Sequence, residues 1–264
     1  PVTHPLTTLA SSNRTASLTE PGSGGNGHFF QEMQDMGRLH GRRFIVTGGS
    51  TGIGRAVAED LIREGARVVI TARHRQRLEA TAREIGAHAI VANVADESDV
   101  VRSCRDAAEY LGGIDGLVNN AGIGRSMRLA ELDATLFREV LAVNVIGAAL
   151  MAREIVPHLR EAGGGDIVNV SSTSGLRGDP GASVYCASKF ALRGMTQCWQ
   201  AELRRDDIRI VLVNPSQVQT NFGLSDDPER RLGLQGNVLR LVDGVSDPDD
   251  SEEDRRDFNG SVGE

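Results

Sequence analysis

Lysine is almost missing from this 264-residue chain: of 29 basic residues only Lys189 is lysine, and the rest are arginine. Tyrosine is nearly as scarce. Only Tyr110 and Tyr185 occur, and the second stands four residues before the single lysine. The three cysteines, Cys104, Cys186 and Cys198, are odd in number and show no C-x-x-C spacing. That excludes a disulfide framework and a zinc knuckle, and it points to a reducing compartment, the cytoplasm. Six histidines are scattered without ligand spacing, so no metal site is expected. No apolar run approaches the ~20 residues of a membrane span, so no membrane partner is expected.

An excess of positive charge is also lacking. The net charge of −7 belongs entirely to residues 225–264, which hold 12 acidic and 5 basic residues, while 1–224 is neutral. Without a basic face, nucleic acid is not an expected partner. The content of 39% hydrophobic and 25% charged residues is that of a soluble globular protein. At this length one α/β domain with a full core is favoured over two small ones.

Residues 1–28 are mostly Ser, Thr, Gly, Pro and Asn, which cannot bury enough apolar surface to order themselves. A disordered extension over 1–36 is expected, with no apolar core for a secretory signal and too little arginine for a transit peptide. The folded domain is expected over 37–224. An acidic, atypical, partly disordered tail follows over 225–264, with Asn237–Val242 its one apolar island.

Between these ends the text becomes regular. Apolar, β-branched runs at Phe44–Thr47, Val68–Thr71, Ala89–Val91, Leu117–Val118, Ile167–Val170 and Ile208–Val213 alternate with segments of helical period. Those segments cover 53–64, 75–85, 97–111, 132–161 and 182–204. Short strands separated by helices read as repeated βαβ units. Right-handed crossovers then predict a Rossmann-type doubly wound parallel sheet with helices on both faces. In such sheets ligands bind beyond the carboxyl ends of the strands.

The first strand runs into Thr47-Gly48-Gly49-Ser50-Thr51-Gly52-Ile53-Gly54, which opens a helix. Glycines permit a tight turn and close approach of backbone to a pyrophosphate, and the helix start supplies free N–H groups. Gly48, Ser50, Thr51, Gly52, Ile53 and Gly54 are therefore candidate cofactor contacts. The second strand ends Thr71-Ala72-Arg73. An NAD site would place a carboxylate there for the ribose hydroxyls. Ala72 lacks one, and the Arg73 guanidinium suits a 2′-phosphate, so NADP(H) is favoured over NAD(H).

Further along come Asn119-Asn120-Ala121-Gly122, then Asn144 in a long helix, Ser171-Ser172 after the fifth strand, Tyr185-Cys186-Ala187-Ser188-Lys189, and Asn214-Pro215. In this order and spacing, with Ser172 13 residues before Tyr185, the set resembles the short-chain dehydrogenase/reductase family over 42–222. The flavour is that of the 3-oxoacyl-[acyl-carrier-protein] reductases. Residues i and i+4 share a helix face, so Tyr185 and Lys189 point into one pocket. A nearby ammonium is expected to favour the phenolate of a group whose pKa is ordinarily about 10. Tyr185 can then exchange a proton with a carbonyl or alcohol while nicotinamide exchanges hydride.

The resemblance implies that Lys189 holds the nicotinamide ribose, Ser172 the substrate oxygen, and Asn144 a water chain feeding Lys189. It places Asn93 and Val94 at the adenine, Asn120, Ala121 and Gly122 near the adenosine half, and Pro215, Val218 and Thr220 beside the nicotinamide. Adjacent strand residues face opposite ways, so only one of Ser171 and Ser172 can enter the pocket, and the spacing selects Ser172.

The chain departs from the family pattern in three places. Asn93 replaces the usual Asp, and Ser216 stands where the family has Gly. The usual terminal strand is only faintly echoed by Val238–Gly244, so an incomplete C-terminal edge is expected. Trp199 reads as core or subunit contact, and helices 132–161 and 182–204 as the surface of a homo-oligomer. The expected activity is hydride transfer between NADP(H) and a small-molecule carbonyl or secondary alcohol, with a 3-oxoacyl thioester as the nearest substrate class. The alternative is a catalytically weak nucleotide-binding or partner-binding protein with an altered substrate lid.

Overall fold

The computed structural model describes residues 37–216. The expectations for 1–36 and 225–264, and those for Val218, Thr220 and the terminal edge, lie outside the described residues.

Six strands form one parallel sheet in the order β3-β2-β1-β4-β5-β6. They are β1 (Arg43–Thr47), β2 (Arg67–Ala72), β3 (His88–Val91), β4 (Gly116–Asn119), β5 (Gly165–Val170) and β6 (Ile208–Val213). Their apolar runs are continuous because both faces are covered, as a parallel sheet requires. Alternate residues divide the core. Phe44, Val46, Val68 and Ile70 pack on one face with Ala58, Leu78 and Ala82 of α1 (Gly52–Arg63) and α2 (Arg75–Ile85). Ile45, Val69, Leu117 and Ile167 pack on the other with α3 (Glu97–Leu111) and α5 (Ala148–Glu161). Leu203 and Trp199 of α6 (Ser183–Leu203) join that second face, so Trp199 packs against the core.

The expected helix 132–161 is one continuous helical stretch with a break in its winding. After α4 (Ala134–Leu141), Ala142–Gly147 winds as a π turn and leads into α5. Asp133 sets the start, its side chain accepting the Thr135 N–H at 2.8 Å. The stretch Ala134–Glu161 also corrects the reading of the apolar runs. An 18-residue window in it has mean hydropathy 1.6, long and apolar enough to cross a membrane by length and composition. Here Met151, Ala152, Ile155 and Leu159 are buried against the sheet instead.

The strand order reverses between β1 and β4, which leaves a crevice at their carboxyl ends. At the opposite, amino end the sheet is tied by charge. Asp115 takes the Arg43 guanidinium at 2.7 Å and Asp166 takes Arg42 and Arg209 at 3.0 and 2.7 Å. The polar residues at the carboxyl end are thus the ones left to meet a ligand.

Candidate active site

The glycine loop leaves β1 and turns at Gly48, whose φ of +66° is in the left-handed region that glycine tolerates. The loop is also too crowded for side chains. A Cβ on Gly54 would lie 2.3 Å from Asn120 Nδ2 and 2.5 Å from the Gly48 carbonyl. Thr51 precedes α1 in extended backbone and makes no side-chain cap to it, and no acidic residue stands in the first turn. The N–H groups opening α1 are therefore free for an anion, as a pyrophosphate site needs. The residues present fit a dinucleotide.

Asn120 is placed by this loop rather than aimed away from it. Its Nδ2 donates to the Thr47 carbonyl at 2.9 Å and the Gly48 carbonyl at 3.3 Å. Thr47 Oγ1 in turn accepts the N–H groups of Asn120 and Ala121, each at 3.0 Å, and donates to the Val118 carbonyl at 3.3 Å. Thr47 escaped the sequence reading because its role is a contact over more than 70 residues. Ser50 is fixed from α2, its carbonyl accepting the Thr81 hydroxyl at 3.0 Å.

Beyond β2, Arg73 is exposed and makes no ion pair among the described residues. Beyond β3, the Asn93 N–H donates to Asp99 at 2.9 Å, and its Oδ1 accepts the Ala95 N–H at 3.2 Å. The Arg102 guanidinium holds the Asp99 carboxyl below the usual carboxylate range. Val94 is buried, and Gly147 approaches so closely that a Cβ there would lie 2.7 Å from the Val94 carbonyl. These residues line one rim with the glycine loop.

Across the crevice, β5 and α6 bring Ser172, Tyr185 and Lys189 together. Ser172 hydrogen-bonds the Tyr185 phenol and its Oγ also accepts the Ser174 N–H at 3.1 Å. Ser171 turns the other way, its hydroxyl donating to the Lys189 carbonyl at 3.4 Å. Lys189 is only 4% exposed, and its Nζ donates to the Val170 carbonyl at 2.8 Å. The Nζ also lies 5.6 Å from the centre of the Tyr185 ring. Burial lowers the Lys189 ammonium to about 8.

The phenol does not follow the expectation of a lowered pKa. Burial pushes Tyr185 above its ordinary value, and the Ser172 hydrogen bond opposes that only in part. The ammonium lies against the ring and the Val170 carbonyl and is itself desolvated, so burial of the phenol wins.

Asn144 sits in the π turn, and π turns inside α-helices often mark functional sites. Its Oδ1 accepts the Ile123 N–H at 2.8 Å, and its Nδ2 donates to the Ile123 carbonyl at 2.9 Å and to Ser188 Oγ at 3.0 Å. A Cβ on Gly122 would lie 3.3 Å from Asn144 Oδ1, a close contact that would press on this clamp. The Pro215 carbonyl accepts the Thr173 N–H at 3.1 Å, tying the loop after β6 to the loop after β5.

A doubly wound sheet with a glycine-rich loop after β1, and Ser172 after β5 facing Tyr185 and Lys189 of α6, is the architecture of a nucleotide-binding oxidoreductase. Residues 42–230 match the short chain dehydrogenase family, and the chain belongs to it. Within that family it is similar to 3-oxoacyl-[acyl-carrier-protein] reductases, among others. The human 3-oxoacyl-[acyl-carrier-protein] reductase is 37% identical over 207 residues, covering 76% of this chain and 87% of that protein. A Sphingomonas 2-dehydro-3-deoxy-L-rhamnonate dehydrogenase (NAD(+)) is 36% identical over 219 residues, covering 78% and 88%. The crystal structure of the Brucella melitensis 3-ketoacyl-(acyl-carrier-protein) reductase complexed with NADH superposes with a TM-score of 0.67. It is 34% identical and covers 69% of this chain and 78% of that one. The family's chemistry is oxidation and reduction at C–OH and C=O groups.

Proposed function

We propose that the chain is an NADP(H)-dependent carbonyl reductase that works reversibly on a secondary alcohol, with 3-oxoacyl thioesters as its substrate class. The observation that carries this is the half-buried contact of Ser172 with the Tyr185 phenol beside the buried Lys189. At neutral pH the raised phenol holds its proton and the Lys189 amine is mostly charged. Tyr185 therefore begins as an acid, which suits the direction of carbonyl reduction. Ser172 fixes the carbonyl oxygen by hydrogen bonding, and Tyr185 donates its proton to that oxygen as the alcohol forms. The Lys189 ammonium stabilises the phenolate left behind. When bound, the nicotinamide supplies or takes the hydride. Asn144 holds the Ile123 backbone and the opening of α6, and so sets the wall of the pocket.

The finer assignments rest on the rims. Arg73, exposed at the end of β2 where no carboxylate stands, supports NADP(H) over NAD(H). Gly48, Gly52 and Gly54 with Ser50, Thr51 and Ile53 would hold the pyrophosphate, and Asn93 and Val94 the adenine. At the substrate mouth, loops 123–130 and 173–182 are joined by the Met127 N–H on the Gly181 carbonyl at 2.7 Å. They expose Arg125, Arg128 and Arg177 beside Leu129 and Leu176. That mixture of cation and apolar surface fits an acyl chain on an anionic carrier. The catalytic domain spans 37–224. Free Cys104, Cys186 and Cys198 support a cytoplasmic setting. Exposed Ile146 and Phe190 on the two long helices support a homo-oligomer.

The test is NADPH consumption with a panel of ketones and 3-oxoacyl thioesters, comparing the wild type with Tyr185→Phe. Oxidation that disappears in the variant is the expected result. NADPH binding without turnover, unchanged by Tyr185→Phe, would instead make the chain a nucleotide-binding or partner-binding protein.

A further inference from the structure

Ser188 lies between the two residues that open the reaction, is fully buried, and uses its hydroxyl twice. It donates to the Tyr185 carbonyl at 2.7 Å and accepts from Asn144 Nδ2 at 3.0 Å. We propose that Ser188 is a positioning residue: it locks the π turn of Asn144 to the first turn of α6 and so keeps the Tyr185 phenol in register with Ser172 and Lys189. This rests on the reading of Tyr185 as the group that exchanges a proton with substrate.

The orientation of Asn144 is fixed from outside. Of the two ends of an amide side chain only the oxygen can accept an N–H, so the Ile123 N–H commits Asn144 Oδ1 and turns Nδ2 toward Ile123 O and Ser188. Both amide hydrogens are thereby used. Without the Ser188 hydroxyl one of them is left buried and unpaired, a cost that the π turn can relieve only by moving. A serine inside a helix is also a weaker helix former than alanine, and its bond to the carbonyl three residues back bends the helix slightly. Here that bond falls on Tyr185 itself. The opening of α6 is then held at three points: Ser172 on the Tyr185 phenol, Ser171 on the Lys189 carbonyl, and Ser188 on Asn144. The phenol stands at the end of a long side chain, so a small tilt of this turn moves the hydroxyl most.

The scarcity of tyrosine makes the proposal measurable. In a Tyr110→Phe background Tyr185 is the only phenol, and its titration can be followed by ultraviolet absorbance. The groups around it are Ser172, Lys189 and the adjacent Cys186. In Ser188→Ala, kcat is expected to fall about tenfold with KM for both substrates within about twofold, as for a small misplacement of a reacting group. The phenol should titrate nearer the ordinary value of about 10, because burial is the main cause of its raised value and is relieved first. Should the alanine variant not fold, Ser188→Cys fills the same space with a much weaker hydrogen-bonding group and is expected to show the same losses. Unchanged kcat and unchanged phenol titration in a folded variant, with only a lower Tm, would overturn the proposal and make Ser188 a core residue. The titration needs no turnover. If the wild type reduces no carbonyl, the proposed function fails while the positioning of the phenol is still decided.

Discussion

Ser171 and Ser172 are neighbours at the end of β5, yet their hydroxyls serve opposite sides of the chain. Ser171 donates to the Lys189 carbonyl at 3.4 Å, whereas Ser172 meets the Tyr185 phenol. Strand alternation turns one into the packed helix and the other into the crevice. The two alanine variants should therefore fail differently. Ser172→Ala is expected to lower kcat by about 10²–10³, the range for losing one hydrogen-bond donor to a developing oxyanion, with its urea midpoint unchanged. Ser171→Ala is expected to lose about 1 kcal/mol of stability and keep kcat within a few-fold. Equal kinetic losses in the two would show that the pocket does not distinguish them.

The cradle can be tested by filling it. A Cβ at position 54 collides with Asn120 Nδ2, the group that pins the Thr47 and Gly48 carbonyls. Gly54→Ala must push that amide away and shift the turn. NADPH affinity, measured by fluorescence titration, is expected to drop at least about tenfold, while the far-ultraviolet spectrum stays that of the wild type. Retained affinity would mean that the pyrophosphate does not lie on this loop.

Each of these sites was legible only in part. The glycine loop and the Tyr185–Lys189 pair could be read because each needs fixed residue types within a few positions, and the strands and helices around them carry clear periods. Thr47 and Ser188 could not be read, since the bonds that tie them to Asn120, Ala121 and Asn144 span 44 to 74 residues. The π turn at Ala142–Gly147 was hidden for another reason. A single wide turn shifts the phase of a helix without interrupting its apolar pattern, so 132–161 reads as plain helix. The raised phenol was missed because proximity of Lys189 in sequence says nothing of the burial they share.

The proposed preference for NADP(H) rests on Arg73. Charge-assisted hydrogen bonds to a phosphate contribute about 1.5–3 kcal/mol each, and Arg73 makes no ion pair among the described residues that would compete for it. Arg73→Ala is expected to weaken NADPH by roughly tenfold to a hundredfold while NADH changes little. Competitive titration of both dinucleotides measures this directly. An equal loss for the two would remove the 2′-phosphate from this position.

Lys189 ties the chemistry to stability. Its amine titrates near 8 in the folded chain because burial disfavours the ammonium, against an ordinary value of 10.5. Between those values the unfolded chain holds a proton that the folded chain has released, so stability from this group rises with pH. Below pH 8 the folded protein carries the full cost of the buried charge, at most about 3 kcal/mol. The Tyr185 phenol works in the opposite sense. Its raised value means the unfolded chain loses its proton first, so stability falls once pH passes about 10. Lys189→Met should therefore abolish activity and yet raise the urea midpoint at pH 7. Its advantage over the wild type should shrink toward pH 10. A variant that is less stable than the wild type at pH 7 would show that the Nζ contact with Val170 outweighs the burial of the charge.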